Sequence, residues 1–198
     1  MSLTTIRFIE PSDAQAALDI YEFYVNNTAI TFETEAPSLE DFKGRIMDVS
    51  NNYPWLVSLH ESKIVAYAFA KMHRPTGAYL WSPEVTIYVA NYFQGKGIGR
   101  RLYETLFAIL KLQGFYTVFA GIVLPNSQSI GLHKALGFIE IGIFKNIGFK
   151  LGKWHSSQWM QLSLDQANLY PLPPKTMADV MKMPEIHRFC CSFFAKEL

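Results

Sequence analysis

The sequence predicts an α/β (α+β) fold in which a central, mostly antiparallel mixed sheet is flanked by helices. Three observations carry that expectation. Short runs rich in β-branched and aromatic residues follow one another across short turns, the pattern of hairpin strands. Between them lie segments with apolar residues at helical spacing, opened by capping residues or closed by glycine. One strand, residues 85–89, passes through a glycine-rich turn into a long helix and then another strand, a single βαβ step.

The elements follow in order. Residues 6–9 form a short first strand. Pro11, Ser12 and Asp13 open a helix in which Ala14, Ala17, Leu18, Tyr21 and Val25 share one face. Residues 26–33 are a loop carrying apolar side chains, which suggests a segment folded over something. Ser38, Leu39, Glu40 and Asp41 resemble a capping box that starts a helix running to Val49. Strands at 55–59 and 64–70 flank a turn at 60–63. Residues 78–81 lead into the strand ending at Val89. Pro83, which cannot donate to a ladder, predicts an irregularity just before Glu84. The central helix carries Leu102, Phe107, Leu110 and Leu112 and ends at Gly114. A buried strand at 116–122 is broken by Pro125 and Asn126, and a helix over 127–136 closes at Gly137. Two last strands occupy 138–144 and 154–164.

Beyond them the composition changes. Tyr170, Pro171, Leu172, Pro173 and Pro174 make a stiff extended linker. Residues 177–183 and 186–194 carry helix-compatible apolar side chains that need a surface. The chain is therefore divided into a domain over 1–164 and an extension over 165–198, docked on that domain or on a sister subunit.

With 198 residues and 49% hydrophobic content, the chain is long enough for one well-filled domain. A net charge of +1 gives no global field to recruit nucleic acid or an anionic membrane. The first residues lack the basic-then-apolar order of a signal peptide, and no apolar run approaches the roughly 18 residues of a membrane span. Cys190 and Cys191 are adjacent, so they make a poor structural disulfide; reduced thiols and a cytoplasmic location follow. No His, Asp or Glu spacing indicates a metal site.

The chemistry concentrates in Gln94, Gly95, Lys96, Gly97, Ile98, Gly99 and Arg100, which join a strand to a helix start. Glycine permits positive φ and close backbone approach, and a helix start offers unpaired N–H groups with the positive end of a dipole. Lys96, Arg100 and Arg101 add charge. The stretch reads as a phosphate cradle. It lacks the spacing of a P-loop, and its glycines are spaced one and one apart rather than one and two as in the dinucleotide fingerprint.

Gln94, Gly97 and Gly99 instead fit Gln/Arg-x-x-Gly-x-Gly/Ala, and this resembles the pyrophosphate loop of the GNAT superfamily of N-acetyltransferases. Residues 126–138, with Asn126, Ser129, Leu132, His133, Gly137 and Phe138, resemble the superfamily's second signature. Tyr53-Pro54-Trp55, Ala78-Tyr79 with Trp81 and Glu84, residues 121–126, and Gly148-Phe149-Lys150 followed by Gly152 and Trp154 are similar to the phosphinothricin and methionine sulfoximine N-acetyltransferase branch. The match spans about residues 5–165.

The resemblance implies the GNAT fold, acetyl-CoA as co-substrate, no metal, a small-molecule amine acceptor and a homodimer. It implies that the loop from Gln94 to Arg100 holds the pyrophosphate, that the pantetheine arm lies along Ile87, Tyr88 and Val89, and that Asn126 and Ser129 contact the arm. Glu84 is then the general base, since only a neutral amine attacks. His133 stands where many members carry tyrosine, to protonate the departing thiolate or assist amine deprotonation. Substrate contacts fall to Phe32 and Glu33 in the early loop and to Arg74, Thr76 and Tyr79. Thr76 replaces the second arginine common in this branch. Threonine cannot make a guanidinium fork, although His73 could compensate. The acceptor is expected to be phosphinothricin, methionine sulfoximine or methionine sulfone in type. A polyamine, an antibiotic amine, a protein N-terminus, or acyl-CoA sensing without turnover remain open alternatives.

Overall fold

The computed structural model describes residues 4–189. In chain order the elements are β1 (Thr5–Phe8), α1 (Ala14–Asn27), α2 (Leu39–Ser50), β2 (Trp55–His60), β3 (Lys63–Lys71), β4 (Glu84–Val89), α3 (Ile98–Gln113), β5 (Thr117–Val123), α4 (Ser127–Ala135), β6 (Ile139–Lys150), β7 (Lys153–Ser163) and the short α5 (Met177–Val180). The strands form one sheet in the order β1-β2-β3-β4-β5-β7-β6. All neighbours are antiparallel except β4 and β5, which run parallel because α3 carries the chain between them.

Local chemistry explains the boundaries. Ser38 Oγ accepts from the Asp41 N–H and starts α2. Glu61 (φ 48°) and Ser62 (φ 63°) make the tight turn between β2 and β3. Ahead of β4, residues 77–79 form a single 3-10 turn, and the strand begins only at Glu84, directly after Pro83. The sheet then divides the core. Side chains of α3, with Leu102, Leu106, Ile109 and Leu110, fill one face against Val85, Val118, Ala120 and Met160. On the other face α1 and α2 pack Leu18, Tyr21, Phe42 and Ile46 against Trp55, Tyr67 and Tyr88.

The expected end of the first of the last two strands at Phe144 is corrected. β6 continues to Lys150 and β7 begins at Lys153, forming a long arm turned at Leu151 (φ 51°) and Gly152 (φ 76°). Gly148 and Asn146 look like breakers in the sequence. They lie instead at or beside a ladder irregularity between Phe144 and Gly148. A Cβ at Gly148 would stand 2.6 Å from the Phe32 ring, so this glycine makes room for the loop after α1. Lys150 Nζ also donates to the Thr31 carbonyl at 2.9 Å. The apolar loop is thus folded over the arm.

In the extension, the helix-compatible stretch 177–183 holds a single four-residue turn. The segment 186–194 lies partly outside the described residues, as do Cys190 and Cys191. Met177, Val180 and Ile186 join the α3-side core, Gln113 Nε2 donates to the Lys175 carbonyl at 2.8 Å, and Trp81 Nε1 donates to the Leu172 carbonyl at 2.8 Å. Among the described residues no helix is long and apolar enough to cross a membrane, and no group of three or more metal-ligating side chains gathers.

One ion pair ties β1 to the start of α1. Arg7 holds Asp13 through two hydrogen bonds of 2.5 and 2.7 Å, and the Glu10 N–H donates to the same carboxylate at 2.8 Å. Burial pushes the Asp13 carboxyl up, but the Arg7 and Glu10 hydrogen bonds and the Arg7 charge outweigh it and leave the group below the usual carboxylate range. A depressed folded-state value means stability present above the unfolded value and lost as pH falls through the folded one. Asp13→Asn is expected to cost about 1–3 kcal/mol at neutral pH, with the gap to wild type narrowing below about pH 4. Urea melts at both pH values read it.

Candidate active site

β4 and β5 are in register at a single position, Glu84 opposite Phe119, and then diverge. The Ala90 N–H donates to the Val65 carbonyl at 2.8 Å, so even-numbered residues of β4 turn their backbone groups toward β3. Strand alternation leaves those of Val85, Ile87 and Val89 facing the gap. An unpaired inner strand edge is unusual, because buried backbone groups need partners. The gap holds a slit of about 60 Å³ between residues 85–88 and 120–123, with Tyr103, Asn126, Ser129 and His133 closing one side and Ile30 the other.

At the far end of β4 the slit opens into a cavity of about 410 Å³ lined by Gln94, Gly95, Gly97, Ile98, Gly99 and Arg100 together with Ile87, Val89, Asn126 and Ser129. Gly97 caps α3 in the left-handed region (φ 78°), and the first intrahelical bond runs from the Arg101 N–H to its carbonyl. The N–H groups of Ile98, Gly99 and Arg100 precede that bond and lack helical partners. A Cβ at Gly99 would meet Ile87 and Leu132 side chains at 3.3 Å, so its absence lets α3 start close to β4 and α4. This end suits a diphosphate.

The polar side chains around it are already organised. Gln94 Nε2 donates to the Tyr24 hydroxyl at 3.0 Å, and that hydroxyl donates to the Val89 carbonyl. Asn126 Oδ1 caps α4 by accepting from the Ser129 N–H at 3.1 Å. His133 is 2% exposed, and its Nδ1 lies 2.7 Å from the Ser129 carbonyl. A carbonyl can only accept, so Nδ1 carries the proton and Nε2 presents a lone pair; Nε2 is buried with no partner. Burial pushes the imidazole pKa down, against the raising effect of the Ser129 bond, and favours the neutral ring.

At the apex of the gap, Glu84 Oε1 accepts from His73 Nδ1 at 2.7 Å while Oε2 lies 3.5 Å from Lys71 Nζ. Lys71 is the cross-strand neighbour of Glu84. His73 stacks on Phe119 with ring centroids 5.1 Å apart. Two further cavities adjoin these partners. One, of about 310 Å³, contains Lys71, Thr86, Tyr88 and the Glu33–Arg45 ion pair. The other, of about 300 Å³, is walled by Phe119, Ile141, Ile143, Phe144 and Trp159, with His73 and Arg74 at its polar side.

A profile described as the acetyltransferase (GNAT) domain matches residues 6–159. The chain belongs to the GNAT acetyltransferase family. It is 32% identical over 178 residues to the phosphinothricin N-acetyltransferase of Streptomyces viridochromogenes, covering 90% of this chain and 95% of that one. It is 31% identical over 166 residues to the L-methionine sulfoximine/L-methionine sulfone acetyltransferase of Salmonella typhimurium, 82% and 95% of the two chains. The crystal structure of a GNAT phosphinothricin acetyltransferase from Sinorhizobium meliloti in complex with AcCoA matches with a TM-score of 0.83 and 32% identity, over 89% of this chain and 99% of that one. The predicted GNAT fold is therefore the fold observed.

In this GNAT acetyltransferase most residues singled out from sequence converge on the gap, but several do not. Lys96 places its ammonium over the Phe93 ring, 4.7 Å from the centroid, instead of lining the cavity. Arg100 lines it while pairing with Glu104 at 2.8 Å. Tyr88 turns its ring to the α1–α2 face and contacts Tyr21. Phe32 packs over Gly148 and lines neither acceptor-side cavity. Thr76 is exposed and lines neither, and Tyr79 meets His73 edge-on at 5.8 Å with Arg74 over its other side. Sequence reasoning missed Lys71, Arg45, Tyr24, Trp159 and Tyr103. Tyr103 alone left a signal: it lies four residues after Gly99, on the same face of α3.

Proposed function

We propose that this GNAT enzyme transfers acetyl from acetyl-CoA to the primary amine of a small amino-acid-like acceptor, by direct attack in a ternary complex. The observation that carries the reading is the parting of β4 and β5 with Glu84 at the apex and the glycine cradle at the other end. The cradle N–H groups would hold the diphosphate, and the open edge at Ile87 and the Val89 N–H would pair with the amides of the cofactor arm. The thioester then lies in the slit beside Glu84, and backbone N–H groups of β4 stabilise the oxyanion of the tetrahedral adduct. Glu84, oriented by His73 and Lys71, takes the proton of the incoming amine directly or through water. Such a reaction belongs in the cytoplasm.

The acceptor side narrows the class. Arg74 supplies one guanidinium for a carboxylate, while the neighbouring groove is walled by Phe119, Ile141, Ile143, Phe144 and Trp159. Among the described residues Arg74 is the one guanidinium lining this groove, and Thr76 stands where a second arginine would reach toward it. Methionine sulfone and sulfoximine carry neutral side-chain heads; the phosphinate of phosphinothricin is charged. The reading therefore ranks the sulfone and sulfoximine above phosphinothricin in kcat/KM. Thr76→Arg is expected to raise the phosphinothricin value about tenfold relative to the sulfone, the effect of one added charge-assisted contact. Turnover of spermidine or a peptide N-terminus alone would overturn the acceptor class.

A homodimer is part of the same proposal. β6 is an edge strand, and Ile139, Ile141, Phe144, Ile147 and Phe149 along it are all exposed, Ile139 by 64%. Long apolar edges are covered in soluble proteins. Light scattering should give twice the chain mass, reduced in Ile147→Lys; a monomeric wild type would refute the dimer.

A further inference from the structure

Tyr103 and His133 both line the slit, and each carries a polar atom without a protein partner among the described residues, the two opposite in kind. His133 Nε2 offers a lone pair, as its Nδ1 proton is engaged by the Ser129 carbonyl. Tyr103 is 1% exposed, its hydroxyl makes no hydrogen bond to any described residue, and it lines the same slit. The Tyr103 ring is locked by stacking on Phe107 at 5.1 Å and by an edge contact with His133 at 5.3 Å. Interior donors and acceptors are almost always paired. A phenol donor without a protein partner on a residue that lines the slit therefore marks a place where something bound completes it.

Position along β4 says which part of the donor substrate arrives there. Glu84 marks one end and the Gly95–Gly99 cradle the other, with the slit between them at residues 85–88. A molecule anchored by its diphosphate in the cradle and reacting beside Glu84 must lay its sulfur in the slit. We propose that the Tyr103 hydroxyl is the group that donates to the sulfur of the departing CoA. This assignment rests on the acetyl-transfer reading above.

The step balances. The amine nitrogen bonds to the acetyl carbon, the C–S bond breaks, and its electron pair goes to sulfur. The Tyr103 hydroxyl keeps its proton and donates a hydrogen bond to the sulfur as charge develops there, and the thiolate takes its proton from solvent on release. The proton lost by the amine leaves through Glu84, so amine and thioester become amide and thiol. His133 in the observed tautomer has no Nε2 proton to give. Burial pushes the Tyr103 phenol far up, which keeps it a neutral donor throughout the step. The other titratable side chains lining the slit are His133 and Tyr88.

The test is Tyr103→Phe, which keeps the ring and removes the donor. With amine present, kcat should fall roughly 10- to 100-fold at unchanged acetyl-CoA affinity, the loss of one hydrogen bond to a charged group. Independently of any amine, the ultraviolet absorbance of the thiolate reports the pKa of bound CoA, which should rise by about one unit or more in the variant. Tyr103→3-fluorotyrosine, a stronger acid of nearly the same shape, should lower it below wild type. A thiol titration that moves in neither variant overturns the assignment, as does an unchanged kcat in Tyr103→Phe. If the wild type binds CoA but acetylates no amine, the acetyl-transfer reading fails, and the thiol titration still decides Tyr103.

Discussion

Replacing Glu84 by glutamine is expected to lower kcat by about 10²- to 10⁴-fold, the range for removing a positioned general base. The substitution preserves the shape of the side chain and an acceptor oxygen for His73, so the apex of the gap should stay closed and acetyl-CoA affinity unchanged. Lost is the ability to take a proton from the amine. Residual activity in the variant should rise with pH as solvent alone deprotonates the amine, since only the neutral amine attacks. Steady-state kinetics across pH, beside calorimetric binding of acetyl-CoA, separate this result from a folding defect. A variant with full activity at every pH would remove the base assignment, and attention would pass to His73.

The second large effect is expected at the cradle. Gly97 caps α3 at φ 78°, where an L-residue with a branched side chain is strained by about 1–2 kcal/mol. Gly97→Val either accepts that strain or reshapes the turn and swings the first N–H groups of α3 away from the diphosphate. In both cases the acetyl-CoA dissociation constant should rise about tenfold or more, while kcat at saturation changes little. A lower kcat with unaltered binding would contradict the cradle.

These two positions illustrate what the sequence makes legible. Glycine at a strand-to-helix junction reports a backbone requirement that no distant contact alters, so the turn and the start of α3 could be read from the glycines at 95, 97 and 99. Likewise Pro83 announced the late start of β4, and the serine-to-aspartate spacing at Ser38 and Asp41 announced α2. Cross-strand register is not written in any one segment. Lys71 meets Glu84 only because β3 and β4 align as they do, and His73 reaches it from the loop beyond. The expected strand bounds at Phe144 and Trp154 fell short for a related reason, because Gly148 sits at a ladder irregularity and Gly152 in a tight turn that still keeps the pairing. Phe32, read as a substrate contact, is held over Gly148 by an arm longer than the expected strands. The tautomer of His133 depends on a carbonyl one helical turn away, which follows from α4 being a helix but becomes visible only with its side chain in place.

The account turns on amine acetylation, and one measurement tests it most directly: product analysis of a reaction containing acetyl-CoA and methionine sulfone. The account predicts N-acetylmethionine sulfone and free CoA thiol in one-to-one amount, with no acetyl group on the protein when acetyl-CoA is supplied alone. Thiol release without an acetylated amine, or acetyl-CoA binding with no turnover of any amine supplied, would contradict it.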